Sequence, residues 1–271
     1  MPENSGQAKV RMLGISKATG EYVIQCDPDD EVDTDAYRLM YEKAKAENLD
    51  IVGCDFKIVG KVRRRIQSQY SKPGREIADI LCGKVWGSLV CRMFRRDLLT
   101  GLFLPKGDMW EDVVFSVQAI SKAARIGYIP KPLYLYYTRQ DSITNEKGPQ
   151  SAVKRWRAMV ANTEQIFEYL SHIPSVSLQP SDEITLKYRC RSALNPYVHI
   201  PEYYQKWRAT FPEVDKKVLW GKNIRFRDKF DFVLIRLHLF HPWNSISRFI
   251  QNGLTKAYCM VHRAVSKGPV T

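Results

Sequence analysis

A short apolar strand that runs directly into an acidic turn constrains the fold of this chain more than any other feature. Residues 22–26 are mostly β-favouring, and Asp27-Pro28 follows them as a turn signal. Helical spacing predicts a helix from about Thr34, and residues 50–59 (DIVGCDFKIV) are the next strand candidate. Because a strand, a helix and a second strand follow one another closely, the sequence indicates an α/β layer arrangement.

The chain divides into two stretches with different residue patterns. Helix and strand candidates alternate in the first, over residues 75–82, 88–94, 111–124 and 126–137. Residues 61–75 are basic and are expected to form a loop or an edge hairpin. From about residue 150 the pattern is helical, rich in Trp, Tyr and Arg, and broken by prolines. We therefore predict two domains, residues 1–147 with the α/β sheet and residues 148–271 as a mainly helical region.

The charge of the chain limits its partners. Its 271 residues include 42 Lys and Arg against 29 Asp and Glu, a formal net charge of +13. Such an excess attracts nucleic acid, an anionic membrane surface or phosphorylated small molecules. No helix-turn-helix, RRM-like or zinc signature accompanies the charge, so nucleic acid is not the expected partner.

One segment near the end suggests contact with a membrane. Residues 230–243 are strongly apolar but too short to span a bilayer. With Arg236, Arg248 and Lys256 nearby, the segment can lie on a membrane surface, or it can pack on the protein with a solvated basic face. The six cysteines form no CxxC pair, and no signal peptide is expected. We therefore expect a cytoplasmic protein with reduced thiols, either free or at the inner face of the cell membrane.

The acidic turn is the first candidate site. Asp27, Asp29 and Asp30 follow the first strand at its C-terminal end, where open α/β sheets bind ligands. Carboxylates placed in this way can hold Mg²⁺ or Mn²⁺, whose open positions can bind a diphosphate. Judged alone, the motif is better interpreted as a turn that caps the next helix, with Asp33 or Thr34 as the N-cap.

Three blocks in order give the chain a specific resemblance. The first block resembles an asparagine-glycine loop, a helix, an Ala-x-Gly-Glu-Tyr strand and an Asp-x-Asp metal site. The second is a strand and turn followed by a Trp-Glu-Asp helix start, and the third is a Tyr-x-Tyr segment leading to Ser-Ile-Thr. The residues that carry them are Glu3-Asn4-Ser5-Gly6-Gln7-Ala8, Arg11, Ala18 to Ile24 and Asp27 to Asp30; Phe94 to Leu98 and Trp110 to Phe115; and Pro132 to Tyr134, Tyr136, Tyr137, Arg139 and Ser142-Ile143-Thr144. Together they resemble family-2 glycosyltransferases of the bacterial cell-surface polysaccharide type.

The resemblance implies a fold and a reaction. The expected fold is a GT-A domain, a Rossmann-like mixed sheet with flanking helices, followed by the helical region. The expected activity is inverting, metal-dependent transfer of a sugar from a nucleotide donor, most simply a UDP-sugar, to a saccharide or lipid-linked acceptor.

The resemblance also implies the roles of single residues. Asp112, or else Glu111, matches the base; Asp27, Arg11 and Arg139 match donor contacts; and Asp29, Asp27 and Asp30 match the site of Mg²⁺ or Mn²⁺. Other interpretations stay open at this point. Glu111 and Asp112 can favour the helix dipole, and Arg139 can be a solvated arginine.

The chain departs from the family pattern at its start. The strands that hold uracil and ribose in the family have no counterpart before residue 3, so the resemblance implies an incomplete GT-A domain with an unpaired apolar edge at Val23-Ile24. Cys91-Arg92 also replaces the family's Asn-Lys, which bears on the acceptor side. The alternative function is therefore a catalytically inactive, truncated glycosyltransferase that acts as a binding protein.

Overall fold

The structure, a computed structural model, describes residues 6–60, 64–138 and 148–242. The helices are α1 (Gln7–Lys17), α2 (Ala36–Ala46), α3 (Glu76–Cys82), α4 (Glu111–Lys122), α5 (Pro149–Ser171), α6 (Pro180–Ser192), α7 (Pro201–Ala209) and α8 (Phe226–Arg236). The strands are β1 (Tyr22–Ile24), β2 (Glu31–Val32), β3 (Ile51–Val59), β4 (Arg64–Gln67), β5 (Arg92–Arg95) and β6 (Ile126–Tyr137).

Six strands form one mixed sheet in the order β1-β5-β3-β6-β2, with β4 paired to β3. Only the central pair, β3 and β6, is parallel; the other pairs are antiparallel. This mixed sheet with flanking helices, followed by a helical region, is the fold class predicted from the sequence. Within the described residues β1 lies at the end of the strand order and pairs only with β5, beside Met93 and Phe94.

Two strands differ from their predicted form. Residues 126–137 were expected to be interrupted at Pro130 and Pro132, whereas β6 runs through both prolines. The register against β3 shifts there, because Cys54 faces Ile129 and Asp55 faces Pro132. A bulge of this kind leaves Pro130, which has no N–H to donate, out of the ladder. The predicted strand over residues 88–94 is the shorter β5.

Apolar clusters fill both faces of the sheet. On one face α2 buries Met40 and Ala44 against Val52 of β3. On the other face α4 is the central helix, and Val114 and Phe115 are fully buried. The strand β3 is apolar without alternation because helices cover both of its sides.

The helices after residue 148 have their own apolar cluster around Trp207, which is fully buried. This part is tied to the sheet part by Asp182 of α6, which accepts two hydrogen bonds from Arg75, at 2.9 and 3.0 Å. The division into domains at residue 147 stays a prediction. Among the described residues, no helix is long and apolar enough to cross a membrane.

Candidate active site

The acidic turn (residues 27–30) is fastened to β6 by its last aspartate. Asp30 accepts a hydrogen bond from the Tyr134 hydroxyl at 2.6 Å and another from the Tyr137 backbone N–H at 2.9 Å. Burial raises the pKa of Asp30 above its usual range, although these two hydrogen bonds oppose the shift. The Tyr134 hydroxyl also accepts from the backbone N–H of Asp27, at 3.2 Å. Asp30 therefore holds the turn in place.

Asp27 and Asp29 are the more accessible carboxylates of the turn. The Asp27 side chain is 26% exposed, and its Oδ1 accepts a hydrogen bond from Gln25 at 3.2 Å. Asp29 is exposed. A ligand that approaches the C-terminal end of β1 can thus reach these two groups.

A buried arginine joins the acidic turn to α4. Arg11 of α1 donates to Glu111 Oε1 at 2.8 Å, and another of its nitrogens lies 3.6 Å from Asp27 Oδ1. Its side chain is only 8% exposed, and its Nε has no hydrogen-bond partner. One guanidinium therefore places the first turn of α4 beside the end of β1.

The start of α4 is strained. Trp110, directly before the helix, has a φ of 67°, a left-handed conformation that bulky side chains rarely adopt. Strain of this kind persists only where the surroundings enforce it, and it is enriched at functional sites. The two residues that follow are Glu111 and Asp112, both predicted from the sequence as candidate bases.

Both carboxyls at this helix start are hard to ionise. Burial raises the pKa of Glu111 to about 7, and the charge of Asp112 adds to the shift. Burial also raises the pKa of the half-buried Asp112, while the nearby positive charges of Arg11 and Arg92 oppose it. The pair therefore keeps a proton to higher pH than ordinary carboxyls do.

A residue of the helical region contacts the Trp110 ring. The Arg189 guanidinium of α6 lies over the Trp110 ring, 5.0 Å from its centroid, and donates to the backbone oxygens of Ile80 and Leu81 at the end of α3. Gly83 ends α3 with a φ of 72°, and a Cβ there would lie 2.7 Å from Arg189 Cζ. A cation at a helix C-terminus is favourable, and so is a guanidinium over an aromatic ring. Both interactions stabilise Arg189 between the end of α3 and Trp110.

An exposed aromatic surface lies near the acidic turn. Trp86 is 38% exposed and packs on Phe56 and Tyr136, with ring centroids 4.7 and 5.7 Å away. Burial raises the pKa of the Tyr136 hydroxyl, and the negative charges of the acidic turn raise it further, which shows how near the turn is.

The loop that carries Trp86 also touches α4. Arg92 donates to the Trp86 backbone oxygen at 2.9 Å, and Ser116 of α4 donates to the Gly87 backbone oxygen at 2.7 Å. Arg92 and Ser116 therefore connect the loop that carries Trp86 to β5 and α4.

Comparison with known proteins is consistent with this geometry. The sequence model of the family described as glycosyl transferase family 2 matches residues 1–103. These residues are similar to that family. The cholesterol galactosyltransferase of Borreliella burgdorferi is 29% identical over 160 residues, which are 53% of this chain and 45% of that protein. The putative glycosyltransferase EpsH of Bacillus subtilis is 32% identical over 153 residues, 52% of this chain and 44% of EpsH.

These figures mean that the chain spans somewhat less than half the length of the family-2 relatives it matches. Among solved structures, Staphylococcus aureus TarS (residues 1–349, in complex with UDP) superposes with a TM-score of 0.51 at 16% identity, covering 92% of this chain and 72% of that one. At this identity the likeness shows the fold alone, and that fold is the one predicted from the sequence.

The acidic turn supplies carboxylate oxygens, the donor type that Mg²⁺ and Mn²⁺ prefer. Because both Asp30 oxygens accept hydrogen bonds from β6, Asp27 and Asp29 are the carboxylates of the turn that can face a metal. Across residues 6–60, 64–138 and 148–242, no three His, Cys, Asp or Glu side chains are grouped to hold one. Mg²⁺ commonly binds one or two carboxylates together with substrate phosphates, which suits this pair. Metal dependence stays a prediction.

The structure brings together most of the site residues that the sequence predicts. Arg11, Asp27, Glu111 and Asp112 form one group, with Asp29 at its exposed side. Arg139 lies outside the described residues, as do Ser142-Ile143-Thr144. The roles of all these side chains stay predictions.

Two residues of the site were missed. Trp86 stands two residues before the predicted strand over residues 88–94, and that position was the available signal. Arg189 gave no signal, because it lies in the helical region, far along the chain from Trp110.

Proposed function

We propose that this chain transfers a sugar from a nucleoside diphosphate donor to the hydroxyl of a saccharide or lipid-linked acceptor, with inversion at the sugar carbon. The observation that carries the proposal is the contact of Arg11 with both Glu111 and Asp27. The contact joins the start of α4, which carries Glu111 and Asp112, to the acidic turn, and this nearness supports a one-step displacement.

Asp112 is the candidate base. Glu111 is engaged by Arg11 at 2.8 Å, whereas Asp112 is half-buried with a raised pKa. In its ionised form Asp112 takes the proton of the acceptor hydroxyl as that oxygen attacks the sugar carbon. The bond between that carbon and the diphosphate oxygen breaks, and the nucleoside diphosphate leaves with the bonding electrons.

Asp27 and Asp29 are the residues that would hold Mg²⁺ or Mn²⁺, and the cation would supply charge neutralisation for the diphosphate. Arg11 adds a fixed positive charge beside Asp27. The sugar ring would lie between these groups and Asp112, where the exposed face of Trp86 can stack on it.

Known relatives guide the choice of donor and acceptor. TarS is described with UDP, so UDP is the first nucleotide to test. The Borreliella relative is named for galactose transfer to cholesterol, which supports a lipid-type acceptor as well as a saccharide. We place the reaction in the cytoplasm, at the inner face of the membrane when the acceptor is lipid-linked.

The test is calorimetric titration of the full chain with UDP, with and without Mn²⁺, followed by a screen for UDP release from UDP-sugars. Asp29→Asn should abolish the manganese-dependent part of binding, whereas Asp35→Asn, at an exposed aspartate that pairs with Arg38, should not. Binding without turnover would favour the inactive binding protein. No UDP binding by a folded chain would refute the proposal.

A further inference from the structure

The helix α8 has an apolar ridge whose two ends are exposed, while its middle residue Val233 packs partly against the cluster around Trp207. Residues 226, 230, 233 and 237 follow the spacing i, i+4, i+7, i+11, which places them on one side of a helix. Phe226 at one end is 83% exposed, and Leu237 at the other end is 60% exposed. Ridges of this kind on a surface helix mark an interaction site.

The opposite side of α8 already packs on the protein. Phe232 and Ile235 are buried in the cluster around Trp207, and Phe232 lies 5.8 Å from the Trp207 ring. The helix therefore does not need the exposed ends of the ridge, Phe226 and Leu237, for its attachment, and substitutions there should leave the fold intact.

The basic and the acidic side chains of α8 lie on different sides of the helix. Arg227, Lys229 and Arg236 flank it at helical positions on either side. The acidic residues of the helix, Asp228 and Asp231, fall on the half that faces the core. Asp228 is further neutralised by Arg225, at 2.7 Å.

The turn before α8 extends the same chemistry. Trp220 is 84% exposed, the most exposed of the large apolar side chains. Its neighbours Lys216, Lys217 and Lys222 are exposed as well. Tryptophan and lysine together are typical of protein segments that lie at the boundary between lipid headgroups and acyl chains.

We propose that residues 216–237 form a docking surface for an anionic lipid bilayer. Phe226, Leu237 and Trp220 enter the headgroup boundary, and the flanking Arg and Lys side chains bind lipid phosphates. A bilayer fits better than a protein groove because positive charge borders the exposed apolar side chains on both sides. This surface gives the chain a function beyond sugar transfer, since lipid binding does not require the candidate active site.

The experiment is sedimentation of the full chain with vesicles, either an equimolar mixture of phosphatidylglycerol and phosphatidylcholine or phosphatidylcholine alone. Binding should be strong to the mixed vesicles, weak to the neutral ones, and reduced by salt. Phe226→Ser with Leu237→Ser should lower the partition coefficient by roughly tenfold. Arg227→Gln with Lys229→Gln should lower it by roughly fivefold for each charge removed.

The matched control is Ile66→Ser on β4. Ile66 is 57% exposed and also lies beside arginines, so it reports on any apolar side chain in a basic setting. The proposal is overturned if the ridge variants, with unchanged melting temperature, bind as the wild type does, or if the control loses as much binding. It is equally overturned if both vesicle types bind the same. Since UDP titration is independent of vesicle binding, failure here and failure of the sugar-transfer proposal are distinguishable.

Discussion

Two buried aspartates, one in the helical region and one at the start of α4, have opposite electrostatic environments. Asp182 of α6 is fully buried, and burial alone would raise its pKa, but hydrogen bonds from Arg75 and the Gln179 backbone lower it below the usual range. Asp112 is less buried, yet its pKa is raised because Arg11 and Arg92 do not offset the burial.

The comparison distinguishes a carboxylate whose charge stabilises the fold from a carboxylate whose charge is available for catalysis. Asp182 ionises more readily in the folded chain than in the unfolded chain, so its charge stabilises the protein. For Asp112 the reverse holds, and its charge destabilises the fold at neutral pH. Carboxyls in such unfavourable settings cluster at functional sites, which is an independent reason to assign the reaction to α4.

The largest expected effect is on turnover. Asp112→Asn should lower the rate of UDP release from a UDP-sugar by about 10²- to 10⁴-fold, because the amide cannot accept the proton. The melting temperature at neutral pH should stay the same or rise, since the change removes an unfavourable charge. Loss of activity together with a large drop in melting temperature would mean that Asp112 is structural.

In the helical region, the corresponding change of aspartate to asparagine should have the opposite effect on stability. Asp182→Asn should destabilise the chain by about 3 kcal/mol, because it leaves Arg75 without its buried partner. The gap in the free energy of unfolding between wild type and variant should be largest above pH 4 and should decrease as Asp182 becomes protonated at lower pH. Urea unfolding at several pH values measures both, and a gap independent of pH would contradict the assignment.

Arg11→Gln tests the link between the two parts of the site. Arg11 opposes the rise in the pKa of Asp112, so its removal should move the acid limb of the pH–rate profile to higher pH. Arg11→Lys keeps the charge and should restore the original limb. A uniform fall in rate with an unchanged pH profile would reduce Arg11 to a packing role.

The smallest effect is expected at Trp86. Trp86→Ala should raise the KM for the sugar substrates by several-fold with little change in kcat, whereas Trp86→Phe should retain most of the binding. Leu104→Ala is the matched control, because Leu104 is exposed to a similar extent, at 43%, and its backbone oxygen accepts a hydrogen bond from Gln165 of α5 at 3.0 Å. Equal effects at the two positions would remove Trp86 from the site.

Local patterns account for what the sequence predicted well. The spacing of apolar residues predicted α4 and the start of the helical region at α5, and α4 buries Val114, Phe115 and Val117 at that spacing. The helices at residues 36–46 and 76–82 lie close to their predicted places. Such predictions succeed because a helix buries one side of a regular repeat, and the order of the residues displays that repeat directly.

Long-range contacts account for what was missed. A continuous β6 depends on the bulge that β3 allows opposite Pro130, and no pattern within residues 126–137 contains that information. The use of Asp30 as an anchor depends on Tyr134, more than a hundred residues away. The pairing of Arg189 with Trp110 likewise joins two distant segments.

By itself, the sequence determined the order of elements, the α/β class and the side chains available for chemistry, because these follow from local periodicity and residue type. Only the tertiary structure decided which carboxylates are free and which are neutralised. That choice depends on burial and on the distance to Arg11, Arg75 or Tyr134, and both are set when segments far apart in the chain pack against one another.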